Sequence, residues 1–435
     1  MNLHTLIRFL QGCAAMMAAA LLFQHYTQLG DHAISRPASS DFYKFYLSAQ
    51  RLHKGLSMYW LVPPRERQGD ACHPDTPDAE RATAMPLPGR LTLGGELPCL
   101  GPNLNPPIFM AVMLPLSLLP YGNAWWIWAA FSSICSVLGV WLLSGSKPRT
   151  NKDRLFWTLL GSAALFTYYP TIANFSLGQL GSVLLPLLTM SWLDLRQARP
   201  VRSGLWLGLA IGLKPFLGVL LLGLFVLRNW KAMFSAVAAL LGLSALGALA
   251  FGVNAYHDYA LVAGNVSWTA SNWNGSWFGF FDRYFSGQAD ANWPANKPLS
   301  KALGTTFALL TVGLWAWITR GQQRRAATSG VDTLFALGLP AALLASPLGW
   351  AYYFPVLTLS GFIAWQHTSH AVNPRPLRLT LLLPVVMSVV PISLKPSPSP
   401  LSPALWYGMD AWYFYALITA MIAVAIALRE RSSRS

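Results

Sequence analysis

Charged side chains are scarce in this sequence: Asp, Glu, Lys and Arg make up 11% of its 435 residues, against about a quarter in a soluble domain. That scarcity excludes an ordinary soluble protein. Hydrophobic residues reach 54%, and they fall in runs of about 17–25 residues, the length that crosses a bilayer. Acidic residues are scarcer than basic ones, 16 against 31, which leaves a formal net charge of +15. Nucleotide-binding loops, dinucleotide fingerprints and zinc-ligand spacings are absent. No metal or cofactor is therefore expected, and any chemistry has to draw on a membrane-soluble donor.

The basic excess sits in short polar connectors, which argues against a nucleic-acid partner. Lys147, Arg149, Lys152 and Arg154 form one group, Arg196, Arg199 and Arg202 a second, and Arg228 with Lys231 a third. Arg320, Arg324, Arg325, Arg375, Arg378 and the C-terminal arginines continue the pattern. Cytoplasmic loops are the ones enriched in Lys and Arg. The expected topology is thus a multi-pass protein of the bacterial inner membrane with both termini cytoplasmic. Residues 7–25 are read as a retained first helix with Arg8 inside, since the run lacks a clear cleavage site and leads into further spans.

Apolar segments fall near 7–25, 106–119, 121–143, 155–172, 180–195, 203–228, 232–252, 299–319, 331–346, 351–366, 377–394 and 411–428. The expected fold class is an all-α bundle of about twelve transmembrane helices in one domain over 1–435. The run 203–228 is interrupted at Lys214-Pro215 and flanked by basic residues at both ends. This favours a hairpin with its tip on the outer side. Residues 26–105 hold eight basic and eight acidic residues and are expected as a long first periplasmic loop. Residues 253–298, rich in Trp and Asn, are expected as a second. Cys72 and Cys99 both fall in the first loop, where an oxidising compartment permits a disulfide; two free thiols are the alternative.

Several residues stand out against this background. From Ser40 to Gly55, Phe42, Phe45, Tyr46, Ala49 and Leu52 recur at helical spacing, with Lys44, Arg51 and Lys54 off that stripe. The pattern predicts an amphipathic helix in the outer membrane interface, capped by Ser40 and stopped by Gly55. Asp41 falls in its first turn. It either complements the helix dipole or serves as an ionised base for an incoming hydroxyl. Asn105-Pro106-Pro107 suits a helix start. The stretch Asn174 to Gln179 either bonds neighbouring helices or contacts a sugar or phosphate. Lys214 is the sharpest anomaly, a cation within an apolar run that contains no acid. It is either a phosphate-neutralising group or a lysine reaching for headgroups. Asp282-Arg283 reads as a surface ion pair or a site. The aromatic belt of a membrane boundary accounts for Trp350, Tyr352 and Tyr353.

Five of these features occur in an order that resembles glycosyltransferase family 87. They are the Asp41 helix ending in Gly55…Tyr59, Asn105-Pro106-Pro107, Gly178-Gln179, Gly208…Lys214-Pro215 running to Arg228-Asn229-Trp230-Lys231, and Ser346-Pro347…Trp350. That family of GT-C-type membrane enzymes includes phosphatidylinositol-mannoside mannosyltransferases. The resemblance, over about residues 38–365, implies a metal-independent, inverting transfer of a mannose-like hexose. The donor would be a polyprenyl-phosphate sugar, and the acceptor a hydroxyl on a lipid or envelope glycan at the periplasmic face. It implies Asp41 as the base. Lys214, Gln179, Lys44, Arg283, Asn105 and Tyr352 are candidate contacts to the donor phosphate or sugar. Where the family often carries His after Ser-Pro…Trp, this chain has Tyr352 and Tyr353. A flippase of a lipid-linked sugar, or a scaffold of an envelope-biosynthesis complex, is the competing reading.

Overall fold

A computed structural model describes residues 3–60, 102–146, 150–266, 269–285, 296–369, 371, 373–390 and 411–429. Among these residues the architecture is all helical, with one isolated bridge between Asn274 and Trp350. The first half runs α1 (Leu3–Ser35), α2 (Asp41–His53), α3 (Met110–Leu116), α4 (Tyr121–Ser144), α5 (Asn151–Thr167), α6 (Tyr169–Ser176), α7 (Gly181–Arg196) and α8 (Pro200–Leu213). The second half runs α9 (Val219–Val226), α10 (Trp230–Phe251), α11 (Asn254–Gly264), α12 (Trp277–Phe285), α13 (Lys297–Arg325), α14 (Ala327–Ala345), α15 (Leu357–Thr368), α16 (Pro374–Ser388) and α17 (Trp412–Arg429).

Among the described residues five helices, α4, α10, α13, α14 and α17, are long and apolar enough to cross a bilayer. A sixth crossing comes from α6 and α7 if that pair, bent by 117°, counts as one span. The protein is a multi-pass membrane protein. The sequence suggested about twelve crossings; of the other apolar runs, 7–25 lies within the 33-residue α1, and two come as the shorter apolar helices Pro107–Leu116 and Pro215–Val226. Helix α14 is the central pillar, with 89% of its most apolar window buried against 11% for α10. The outward faces of α10 and α13 present Phe234, Leu241, Leu249, Leu309 and Trp317, as a lipid-facing rim does.

The break at Lys214-Pro215 is present, and the chain turns back there. Helix α8 ends at Leu213, a 3-10 turn covers Pro215–Gly218, and α9 follows. Helices α8 and α10 then run parallel, because Val201 and Gly204 face Ser235 and Ala232 while Gly212 faces Leu243. Both therefore start at one end of the bundle, and Lys214 lies at the tip of a hairpin. The close approach rests on Gly204, Gly208 and Gly212, which put small residues four apart against the Ala-rich face of α10. A Cβ at Gly208 would stand 2.5 Å from the carbonyl oxygen of Ala236. Gly208→Val is thus expected to destabilise by about 1–3 kcal/mol, the usual cost of overpacking. Gly242→Ala, with nothing within 4 Å of the added atom, is the paired control. Thermal midpoints in detergent check this; equal midpoints would show that the helices can part without cost.

Helix α1 continues to Ser35, ten residues past the apolar run that predicted it. No proline intervenes before Pro37. Its last turns dock on the protein, with the Tyr26 hydroxyl donating to the Phe166 carbonyl at 2.9 Å. Residues 26–35 are therefore helix, and the expected first loop begins later. The expected second loop contains α11 and α12.

Helix α2 forms where the apolar stripe placed it, but its partner is protein. Phe42 stacks near Trp128 at 6.1 Å, Phe45 meets Phe109 edge-on at 5.2 Å, and Tyr46 donates to the Leu119 carbonyl at 2.8 Å. The Ser40 hydroxyl makes no cap; it donates to the Ser176 carbonyl at 2.9 Å. Gly55 ends the helix with φ +69°. The Gly55 amide bonds the Leu52 carbonyl and the Leu56 amide that of Arg51, the paired contacts of a Schellman stop.

Candidate active site

Asp41 owes its position to a docking contact between the start of α2 and the sharp turn joining α6 to α7. The Phe42 amide bonds the Leu177 carbonyl at 2.9 Å, and Trp128 Nε1 donates to the Gly178 carbonyl at 2.8 Å. Gly178 takes φ +63°, and a Cβ there would stand 2.5 Å from that of Phe42, so only glycine allows this approach. Asn174 is fully buried and accepts from the Ser182 hydroxyl at 2.9 Å. The two polar residues of this stretch thus divide: Asn174 fastens the turn, while Gln179 faces Asp41.

A cavity of about 610 Å³ opens at this contact. Its walls come from the first turn of α2, the α6–α7 turn, the hairpin tip, α11, the chain near Ser271–Trp273 and the segment Ser346–Tyr353. Asp41, Lys44, Asn105, Gln179, Lys214 and Tyr352 all line it. Arg283 is not among the lining residues. Its Nη1 donates to the carbonyls of Ser271 at 2.7 Å and Asn274 at 3.0 Å, so it builds the wall from behind. It is also buried, at 3% exposure. Cys72 and Cys99 lie outside the described residues.

Charge is concentrated at one side of the cavity. Lys44 Nζ stands 2.5 Å from Asp41 Oδ1, and Gln179 Nε2 donates to Asp41 Oδ2 at 2.6 Å. Each carboxylate oxygen keeps a further lone pair for an incoming hydroxyl. Tyr353 donates its hydroxyl to Gln179 Oε1 at 3.3 Å. Lys214, 6% exposed, lies over the Tyr353 ring with Nζ 5.0 Å from its centroid. Among the described residues its ammonium has no hydrogen-bond or ion-pair partner. Two features of its position offset part of the cost of burying the cation. It is the C-cap of α8, at the negative end of the helix dipole, and it faces the π cloud of a tyrosine.

The far wall is stapled by Asn274, which the sequence marked only as part of a Trp- and Asn-rich stretch. Its Nδ2 donates to the Pro347 carbonyl at 2.8 Å, and its Oδ1 accepts from the Gly349 amide at 2.9 Å. The Ala351 amide bonds the Trp273 carbonyl at 2.9 Å. These contacts join the loop before α12 to the Ser346–Trp350 segment and present Trp273, Trp350 and Tyr352 to the cavity. Tyr59 donates to the Asn105 carbonyl at 2.6 Å, closing the wall beside α11. Burial pushes the Tyr259 phenol up to about 12, so it stays neutral. At the other end of α14, buried Asp332 accepts from Trp192 Nε1 and pairs with His367 Nε2, both at 2.9 Å. Sequence reading missed that network because its members are far apart in the chain.

The fold and cavity define a polytopic helical membrane protein in which, among the described residues, the carboxylate of Asp41 and the lysines Lys44 and Lys214 line a largely apolar pocket. A sequence profile of glycosyltransferase family 87 matches residues 103–347, more than half of the chain. The chain belongs to glycosyltransferase family 87, and its activity is that of a glycosyltransferase. A polyprenol-phosphate-mannose-dependent alpha-(1-2)-phosphatidylinositol mannoside mannosyltransferase of Mycobacterium tuberculosis is 24% identical over 68% of this chain and 67% of the relative. A polyprenol-phosphate-mannose-dependent alpha-(1-2)-phosphatidylinositol pentamannoside mannosyltransferase of Mycolicibacterium smegmatis is 28% identical over 58% of each chain. No solved structure matches. Asn105, Gln179, Lys214 and Arg283 fall inside the family match; Asp41, Lys44, Tyr352 and Tyr353 fall outside it and join the others only through the cavity.

Proposed function

We propose that this protein transfers a mannose-like hexose from a polyprenyl-phosphate sugar to a hydroxyl of a lipid or envelope glycan, with inversion and without a metal. The observation that carries the reading is the meeting of Asp41, Gln179, Lys44 and Lys214 around one cavity. The relatives' dependence on polyprenol-phosphate-mannose supports the donor class.

In this mechanism Asp41 accepts the proton of the acceptor hydroxyl. The acceptor oxygen attacks the anomeric carbon on the face opposite the phosphate, and the bond from that carbon to the phosphate oxygen breaks. The departing polyprenyl phosphate carries the negative charge that develops, and Lys214, with Lys44 beside it, stabilises it. Fixed charges aimed at a developing anion in an apolar site are among the larger catalytic effects. Among the described residues that line the cavity, the positive charge is that of Lys44 and Lys214. The basic groups at Arg196–Arg202 and Arg228–Lys231 lie at the end of the bundle away from Lys214, which supports a periplasmic cavity and cytoplasmic termini in a bacterial inner membrane.

The test is incubation of the purified protein with a short-chain polyprenyl-phosphate mannose and membrane-lipid or glycan acceptors, with mass spectrometry of the products. Gain of one hexose on an acceptor, with release of polyprenyl phosphate, is the expected result. Movement of the intact donor between leaflets without transfer would favour a flippase.

A further inference from the structure

Tyr353 touches both halves of the cavity's polar side. It lies on the 3-10 turn Ala351–Val356, 4% exposed, with Tyr352 edge-on at 4.8 Å and Phe216 tilted against it at 5.3 Å. Phe216 and Lys214 both belong to the hairpin tip, so the ring is held by the tip and in turn seats the lysine. Its hydroxyl bonds Gln179 Oε1 at 3.3 Å, and the other end of the same amide bonds Asp41 at 2.6 Å. An amide has a donor end and an acceptor end. Satisfying the oxygen with a phenol turns the nitrogen toward the carboxylate. The ring face meanwhile offers the Lys214 ammonium an apolar seat 5.0 Å from its centroid, with no counter-anion needed.

We propose that Tyr353 is a positioning residue that sets both working groups of the site. Its hydroxyl fixes Gln179 against Asp41, and its ring holds Lys214 where the polyprenyl phosphate is bound. The inference rests on the transfer reading above and adds a division of labour within one side chain. Loss of the hydroxyl disturbs the base and leaves phosphate binding intact. Loss of the ring disturbs both.

The experiment compares wild-type protein with Tyr353→Phe and Tyr353→Leu, full length in detergent. Transfer from a short-chain polyprenyl-phosphate mannose and calorimetric titration with the corresponding polyprenyl phosphate are both measured. Tyr353→Phe is expected to lower kcat about tenfold or more, within the range of disturbed base catalysis, with donor KM and phosphate affinity unchanged. Tyr353→Leu is expected to weaken polyprenyl phosphate binding about tenfold in addition, the scale of a desolvated cation–π contact. Tyr353→Met replaces it if the leucine variant aggregates. Wild-type kcat in Tyr353→Phe, or wild-type phosphate affinity in Tyr353→Leu, would overturn the proposal. A wild-type protein that transfers no sugar marks failure of the transfer reading instead, and the titration then decides the role of Tyr353 by itself.

Discussion

Asp41→Asn is expected to reduce sugar transfer about 10²- to 10⁴-fold, the span attributed to a positioned proton acceptor, while leaving a folded protein in the membrane. The amide has the shape of the carboxylate and still offers Lys44 an oxygen, but it cannot take a proton at neutral pH. The fold should tolerate the change because the Asp41–Lys44 pair, about one-fifth exposed on each side, lines the cavity and keeps contact with water there, so Lys44 is not left as an uncompensated buried charge. The docking of α2 runs through other groups: the Phe42 amide, the Ser40 hydroxyl and the packed rings of Phe42 and Phe45. Steady-state rates at saturating donor, with size-exclusion profiles as the folding control, decide the matter. A variant with near wild-type kcat would remove Asp41 from the role of base.

Lys214→Met should separate activity from stability in opposite directions. A fall of about 10²- to 10³-fold in transfer is expected, comparable to removing one preorganised charge at a developing anion. The thermal midpoint should hold or rise. The ammonium is nearly buried and, among the described residues, without an ion-pair partner, and a buried cation without a counter-ion costs free energy. Methionine keeps the apolar stem and its place on the Tyr353 ring while removing that cost. Polyprenyl phosphate should stabilise the wild type against heat and leave the variant unaffected, since only a bound ligand shifts a melting equilibrium. A lysine that merely braces the hairpin would give the reverse, a lower midpoint with activity kept.

The sequence carried this protein some distance by itself. Few charges and long apolar runs require a membrane protein, because a bilayer leaves no other home for such surface. The stripe from Phe42 to Leu52 required a helix with Asp41 at its start, and Lys214 between Leu213 and Pro215 marked a break inside an apolar run. Five ordered motifs pointed to the family that the comparison then showed. These are local signals, readable within a turn or two of chain.

The tertiary structure decided what those signals meet. The stripe of α2 is buried on α3 and α4, and Gly178 lets the α6–α7 turn reach the helix's first turn, in contacts between positions 135 or more apart in the chain. Arg283 had the charge of a phosphate ligand, yet it stands behind the cavity wall, with Nη1 donating to two carbonyls there. Tyr353 looked like one more interfacial aromatic and proved to join Gln179 to Lys214. The glycines of α8 gave no warning either, since a small residue shows its purpose only when another backbone lies against it. Composition and periodicity determine which segments leave water and how each one coils. Which side chains then share a cavity depends on helix packing across the whole chain, and packing is not written in any one window of sequence.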